Sequence, residues 1–356
     1  MFHVGMDYHK KYSIASAVDD QGGRVAECRF EGNTADGFRR FFENLGGPAR
    51  VVIEACWNWG RLYDMIESIA SVQEVVLAHP YKTRVIAEAQ IKTDKIDARI
   101  LAQLLRANLI PRAHIPDRQT RQKKDVLRQR LFWVKLRTRI RNRVHILLDR
   151  QKSLNRPQVS DIFGARGMAF LSEASLPEPD GTLLKQDLTV LKSLQEQIKQ
   201  IEKQVVKEND GNEAVKLLLS VPGYGNILAN VIAAEIDKID RFRHSNKLCA
   251  YAGLVPTTYA SGGKEYHGHL LPMCNKWLRW AFVEGAWVAV GCDSYFGALY
   301  KQQRNKGKNA SQAIIVVARR MCQITWTILK EKRLYENRTY QTNSPGRSRY
   351  YLAVSN

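Results

Sequence analysis

The order of apolar runs in the first hundred residues constrains this fold more than any other feature. Phe2 to Tyr8 and Tyr12 to Val18 read as strands, with Phe2, Val4 and Met6 pointing one way. Asp19-Asp20-Gln21-Gly22-Gly23 is a turn signal, and Arg24 to Phe30 resumes an extended pattern, which makes a meander. Thr34 or Asp36 caps a helix through Phe38, Phe41, Phe42 and Leu45, which Gly46-Gly47-Pro48 ends. Arg50 to Ala55 then reads as a buried strand, Gly60 to Ser71 as a helix and Glu74 to Ala78 as a strand. Pro80 opens a further helical stretch, and Thr93 caps a helix through Leu105. Three antiparallel strands followed by βα units predict an α/β domain, a mixed sheet with helices on its faces.

The composition shifts after this domain. Arg106 to Lys152 holds fifteen Lys or Arg against Asp117, Asp125 and Asp149, and Arg121 to Arg150 contains no Gly or Pro. A long basic helix follows from that. A solvated helix surface normally mixes both signs, so this excess points to nucleic acid, with Arg121, Lys123, Lys124, Arg128, Arg137, Arg139, Arg141 and Arg143 as candidate contacts. The whole chain has the same bias: 55 basic against 35 acidic residues give a formal charge of +20, which attracts polyanions. Residues 153–182, rich in Pro and Gly, read as an irregular connector. Leu191, Leu194, Ile198, Ile201 and Val205 then form a coiled-coil seam of two heptads, expected to pack on the basic helix or on a second copy. A mainly helical domain is expected from Glu213 to Arg333, and a loosely ordered tail from Leu334. The domain boundaries expected are therefore 1–110, 111–212, 213–333 and 334–356.

No basic segment followed by an apolar run opens the chain, and the apolar stretch Trp280 to Val290 is short and interrupted by Glu284. The six cysteines are scattered without a C-x-x-C pair, which argues against a zinc site and a disulfide scaffold. A cytoplasmic protein is expected.

Four acids of the first domain are the candidate chemistry. Asp7 lies on the first strand, Glu54 ends the strand Val51-Val52-Ile53, and Asp94 and Asp97 share one face of a helix start. Strand ends and a helix face can bring them over one sheet edge, where oxygen ligands suit Mg²⁺ or Mn²⁺ and phosphoryl transfer. In the second domain, Val221-Pro222-Gly223-Tyr224-Gly225 is a turn at a helix start, so Gly223 and Gly225 are candidate phosphate contacts. Ser261, before Gly262-Gly263-Lys264 in an expected loop, is placed for its hydroxyl to approach a phosphate with Lys264 offsetting charge, although spacing alone reads it as an ordinary solvent-facing or capping serine. Arg279 opens a helix within reach of a phosphate.

On these residues the chain resembles the DEDD transposases of bacterial insertion sequences, relatives of the Piv-type invertases, some of which are guided by a bridge RNA. Lys92-Thr93-Asp94-Lys95-Ile96-Asp97-Ala98-Arg99, Val4-Gly5-Met6-Asp7 and Val52-Ile53-Glu54-Ala55 carry the acidic motifs. Val221 to Gly225, Ala252-Gly253-Leu254-Val255-Pro256 and Ser261-Gly262 carry the transposase module. The resemblance implies a RuvC-like, ribonuclease H-like first domain in which Asp7, Glu54, Asp94 and Asp97 bind Mg²⁺. It also implies a Ser261 nucleophile that forms a phosphoserine link with DNA, a guide RNA, and a homo-oligomer of two or four copies. Two segments depart from the family pattern: Cys56-Trp57-Asn58-Trp59 replaces a short Gly-containing turn. Gly268 to Asn275 lacks a lysine and a glycine. Two alternatives stay open: a Holliday-junction-resolvase-like nuclease that uses water, and a catalytically inert RNA-binding protein.

Overall fold

In a computed structural model, residues 1–86, 93–151, 154–208, 211–261 and 264–336 are described. The chain divides into two compact units, Met1–Pro116 and Asp117–Asn356.

The first unit is a five-stranded mixed sheet in the order β3-β2-β1-β4-β5. Strands β1 (Phe2–Tyr8), β2 (Tyr12–Val18) and β3 (Arg24–Glu31) are antiparallel; β4 (Ala49–Glu54) lies parallel to β1 and β5 (Val72–Ala78) parallel to β4. Alternation of side chains divides the strands between two cores. Val4, Met6, Val51 and Ile53 pack with Phe38, Phe42, Leu62 and Ile66 of α1 (Ala35–Asn44) and α2 (Trp59–Glu67). Helix α3 (Pro80–Ile86) follows β5, and α4 (Asp94–Arg106) covers the other face, where Val52, Val76 and Ala78 meet Leu101 and Leu105. Thr34 and Thr93 cap α1 and α4 as the sequence predicts, each hydroxyl accepting the backbone N–H of the third helical residue, Gly37 and Ile96.

The second unit begins with α5 (Arg118–Arg150), a helix about 50 Å long. Asp117 caps it, accepting from Thr120 N at 2.7 Å. The expected irregular connector instead contains α6 (Ala165–Glu173), because Phe163, Leu171 and Leu176 are apolar enough to join a core with Ile140, Val144 and Leu147 of α5. The heptad seam lies on α7 (Asp180–Glu208), where Leu184, Leu191 and Leu194 enter that same core. Ion pairs Arg130–Glu202, Arg143–Asp187 and Arg150–Asp180 flank it.

Helices α8 (Glu213–Leu219), α9 (Asn226–Ile236), α10 (Ser245–Tyr251), α11 (Lys276–Cys292), α12 (Ser294–Asn305) and α13 (Ala310–Glu331) form the remaining core, in which Ile232, Phe282, Ala286, Val317 and Met321 are buried. A hairpin of β6 (Pro256–Ser261) and β7 (Lys264–Leu270) interrupts the helices. Ser261 was expected in a loop and is instead the last residue of a strand, paired with Lys264. Of the tail expected to be loose, Tyr335 is docked, its N–H donating to Ser220 Oγ at 2.9 Å. Residues 337–356 lie outside the described residues, as do Lys92, Gly262 and Gly263. Among the described residues no helix is long and apolar enough to cross a membrane.

Candidate functional site

At the carboxyl ends of β1 and β4, sheet register sets two acids side by side. Met6 pairs with Ile53 across the parallel strands, so Asp7 and Glu54 are the next residues of each. Met6 and Ile53 point into the core under α1 and α2, so Asp7 and Glu54 take the face of α4. Helix α4 reaches that face closely because Gly5 has no side chain: a Cβ there would lie 2.1 Å from Ala98 O and 2.5 Å from Ala102 N. The first turn of α4 then brings Asp94 and Asp97 toward Asp7, and both raise the Asp7 pKa by repulsion.

His9, a residue the sequence did not single out, stands between the acids. Its Nε2 is 3.1 Å from Asp7 Oδ2 and 3.5 Å from Asp94 Oδ2. The Tyr12 hydroxyl donates to Asp94 Oδ2 at 2.8 Å, and the Tyr12 ring stacks on His9 at 4.7 Å between centroids. One ligand atom each from Asp7, His9 and Asp94 falls within 4.8 Å of the others. Glu54 and Asp7 both act electrostatically on the Cys56 thiol, which donates weakly to Tyr8 O at 3.8 Å. Burial is the largest influence on Asp7 and pushes its carboxyl above the usual range, while His9 pulls it down. Like charges gathered at a partly buried edge are stabilised by a cation between them. Carboxylate oxygens with one imidazole nitrogen fit Mg²⁺ or Mn²⁺, the nitrogen favouring Mn²⁺.

The basic candidates of the second unit fall into distinct settings. Lys124 is buried, 3.8 Å from Glu235. Arg128 donates Nε and Nη2 to the Glu235 carboxylate at 2.9 and 3.1 Å. Asn275, which caps α11, adds a third donor to Glu235 at 2.8 Å. These two cations therefore neutralise a buried glutamate. Arg279 donates to the carbonyls of Ala252 and Leu271, an anchor for the base of the hairpin rather than a free phosphate contact.

Arg139 and Arg143 are exposed, Arg143 also pairing with Asp187 at 3.2 Å. Arg121 and Lys123 are half-buried at the start of α5. The Nε atoms of Arg137 and Arg141 are buried and meet no acceptor among the described residues. Burial and the neighbouring Arg141 and Arg130 hold the Arg137 pKa below its ordinary value. Gly223, at φ +89°, is required by packing, since a Cβ would lie 2.3 Å from Gly285 O. Gly225 caps α9 without a side-chain hydrogen bond. Ser261 and Lys264 are placed by their backbone only, at the hairpin end.

Two family models match the chain. Residues 4–152 match the DEDD transposase model of the IS110 group, and residues 215–301 match the transposase IS116/IS110/IS902 family. The chain is 26% identical over 343 residues to a Pseudomonas aeruginosa protein described as a probable family 20 transposase, covering 93% of this chain and 98% of that one. It is 24% identical to the transposase for insertion sequence element IS1111A of Coxiella burnetii, over 80% of this chain and 79% of that one. A pilin gene-inverting protein of Moraxella bovis is 26% identical over 36% of this chain and 41% of its own length. The first model takes in all four acids and the second takes in the hairpin, so the chain belongs to the IS110 family of DEDD transposases.

Proposed function

We propose that this protein is an insertion-sequence transposase that cuts and rejoins DNA by metal-assisted phosphoryl transfer. The convergence of Asp7, Asp94 and Asp97 on one sheet edge, with Glu54 beside Asp7 in the register, carries this reading. The strand order β3-β2-β1-β4-β5 supports a RuvC-like, ribonuclease H-like first unit. Mg²⁺ or Mn²⁺ on these carboxylates supplies Lewis-acid polarisation of a phosphate oxygen and offsets charge at the reacting phosphorus. Tyr12 fixes the Asp94 carboxylate by its hydrogen bond, and His9 holds Asp7 and Asp94 at a common spacing.

Ser261 is the nucleophile in this reading. Its Oγ bonds to phosphorus as the bond to O3′ breaks; the serine gives up a proton and the departing O3′ takes one. The serine ester keeps the phosphodiester energy, and attack by a new O3′ restores Ser261 when strands are rejoined. A serine hydroxyl is a weak nucleophile unless activated, which is why charge neutralisation at the phosphate matters. The exposed Arg139 and the half-buried Arg137 and Arg141 support a nucleic-acid backbone on α5, and a guide RNA is the partner proposed there. Two DNA sites must be joined, so an oligomer acting on the nucleoid in the cytoplasm is proposed.

The test is a covalent adduct. The protein, purified with the RNA that accompanies it, is incubated with Mg²⁺ and labelled element-junction and target DNA. Denaturing gels are expected to show a protein–DNA adduct in wild type and none in Ser261→Ala or Asp94→Asn. Cleavage without adduct that survives in Ser261→Ala identifies a hydrolytic nuclease and sinks the serine mechanism.

A further inference from the structure

The sheet edge that carries the carboxylates also carries two exposed aromatic rings. Trp57 follows β4 and is 67% exposed; Tyr81 follows β5 and is 55% exposed. Both leave the carboxyl ends of adjacent parallel strands, as Asp7 does. Local geometry keeps Trp57 outside: Asn58 at φ +56° turns the chain, so Trp59 packs toward the core beside Tyr63 while Trp57 stays in water. The same edge presents exposed Lys10 and Lys11 after β1, Arg61 in α2, and Lys82 and Arg84 in α3. Glu31, at that edge, is held by Arg29 at 2.6 Å. Exposed Asp36 of α1, paired with Arg39 at 3.1 Å, and Asp64 of α2 also lie on the helices that start from this edge, while the opposite edge presents exposed Asp20, Glu43 and Glu67 beside Arg24. Flat apolar rings set among cations match one ligand chemistry: a polyanionic backbone that bears flat, unstacked faces.

We propose that Trp57 and Tyr81 form a stacking platform for unpaired nucleobases beside the metal edge. The segment bound there is single-stranded or strand-separated. Bases in an intact duplex stack on one another and offer no free face, whereas an unpaired base is stabilised by stacking on an aromatic ring. The inference deepens the transposase reading and rests on it for the identity of the polymer. It does not depend on a bound metal.

Two measurements on the full chain test it, both without divalent metal. The first is fluorescence anisotropy with a labelled oligothymidylate of about 20 nucleotides and with a blunt duplex of equal length. Trp57→Ala with Tyr81→Ala is expected to weaken the single strand about tenfold or more, and the duplex less than twofold. The salt slope stays unchanged, because no cation has been removed. Trp57→Phe keeps most of the affinity. The second is photocrosslinking of the same oligomer carrying 5-bromodeoxyuridine, with the crosslinked peptides identified by mass spectrometry. Crosslinks at Trp57 or Tyr81 are expected even where contacts elsewhere dominate the affinity. Absence of both crosslinks, or equal weakening of single strand and duplex, overturns the inference. So does a changed sedimentation coefficient in Trp57→Ala with unaltered single-strand binding, which would assign the ring to a protein interface. Loss of the platform leaves the metal site intact, and loss of Mn²⁺ binding in Asp94→Asn leaves the platform intact, so the two readings fail separately.

Discussion

Gly5→Ala is expected to destabilise the protein by about 3 kcal/mol or more and to abolish high-affinity divalent metal binding with it. The added methyl would sit 2.1 Å from Ala98 O and 2.5 Å from Ala102 N, both backbone atoms of α4. A flexible side chain cannot absorb that overlap, so either α4 moves off the sheet or β1 shifts beneath it. Ala98 and Ala102 are themselves fully buried small residues, which shows how close the helix lies. Moving α4 outward carries Asp94 and Asp97 away from Asp7, so stability and metal affinity fall together. Calorimetry with Mn²⁺ titration checks both; wild-type values for either would show that the α4 contact does not position the site.

Asp7→Asn is expected to act in opposite directions on stability and on metal binding. The Asp7 carboxyl titrates above its ordinary range, chiefly through burial. Its charged form is therefore less favoured in the folded than in the unfolded chain. The stability linked to this group is fully present below the ordinary carboxylate range and is lost as pH rises through the raised folded value. In chelator the asparagine variant should thus melt above wild type at neutral pH, and the two should converge in acid. Saturating Mg²⁺ reverses the order: at about a hundred times Kd it adds about 2.7 kcal/mol to wild type, and the variant gains little. A variant that melts below wild type in chelator throughout the pH range would show that the His9 hydrogen bond outweighs the burial of the charge.

The strands and caps of the first unit were legible because they rest on local signals. Alternation in Phe2 to Tyr8 and the threonines before α1 and α4 need no distant partner. The approach of Asp94 and Asp97 to Asp7, and the position of Glu54 beside Asp7 in the register, follow from strand ends and a helix face, which a sequence can show. His9 was not, because its meaning depends on contacts set by the fold. The β1–β2 turn stacks it on Tyr12, which in turn binds Asp94, 82 residues away. Lys124 and Arg128 looked like free cations because their partner, Glu235, lies 107 residues beyond Arg128. The helix α6 was hidden among Pro and Gly, and the β6–β7 hairpin behind a Gly-Gly pair that reads as loop. The two exposed rings follow strands whose common edge appears only when β4 and β5 are aligned.

The most direct measurement is Mn²⁺ binding to the full-length protein by electron paramagnetic resonance, with Mg²⁺ as competitor. Binding is expected in wild type, displaced by Mg²⁺, and lost or weakened at least tenfold in Asp7→Asn and in Asp94→Asn. A ¹⁴N coupling to the bound ion is expected in wild type and absent from His9→Asn. Equal Mn²⁺ affinity in wild type, Asp7→Asn and Asp94→Asn would contradict the assignment of this sheet edge as the metal centre.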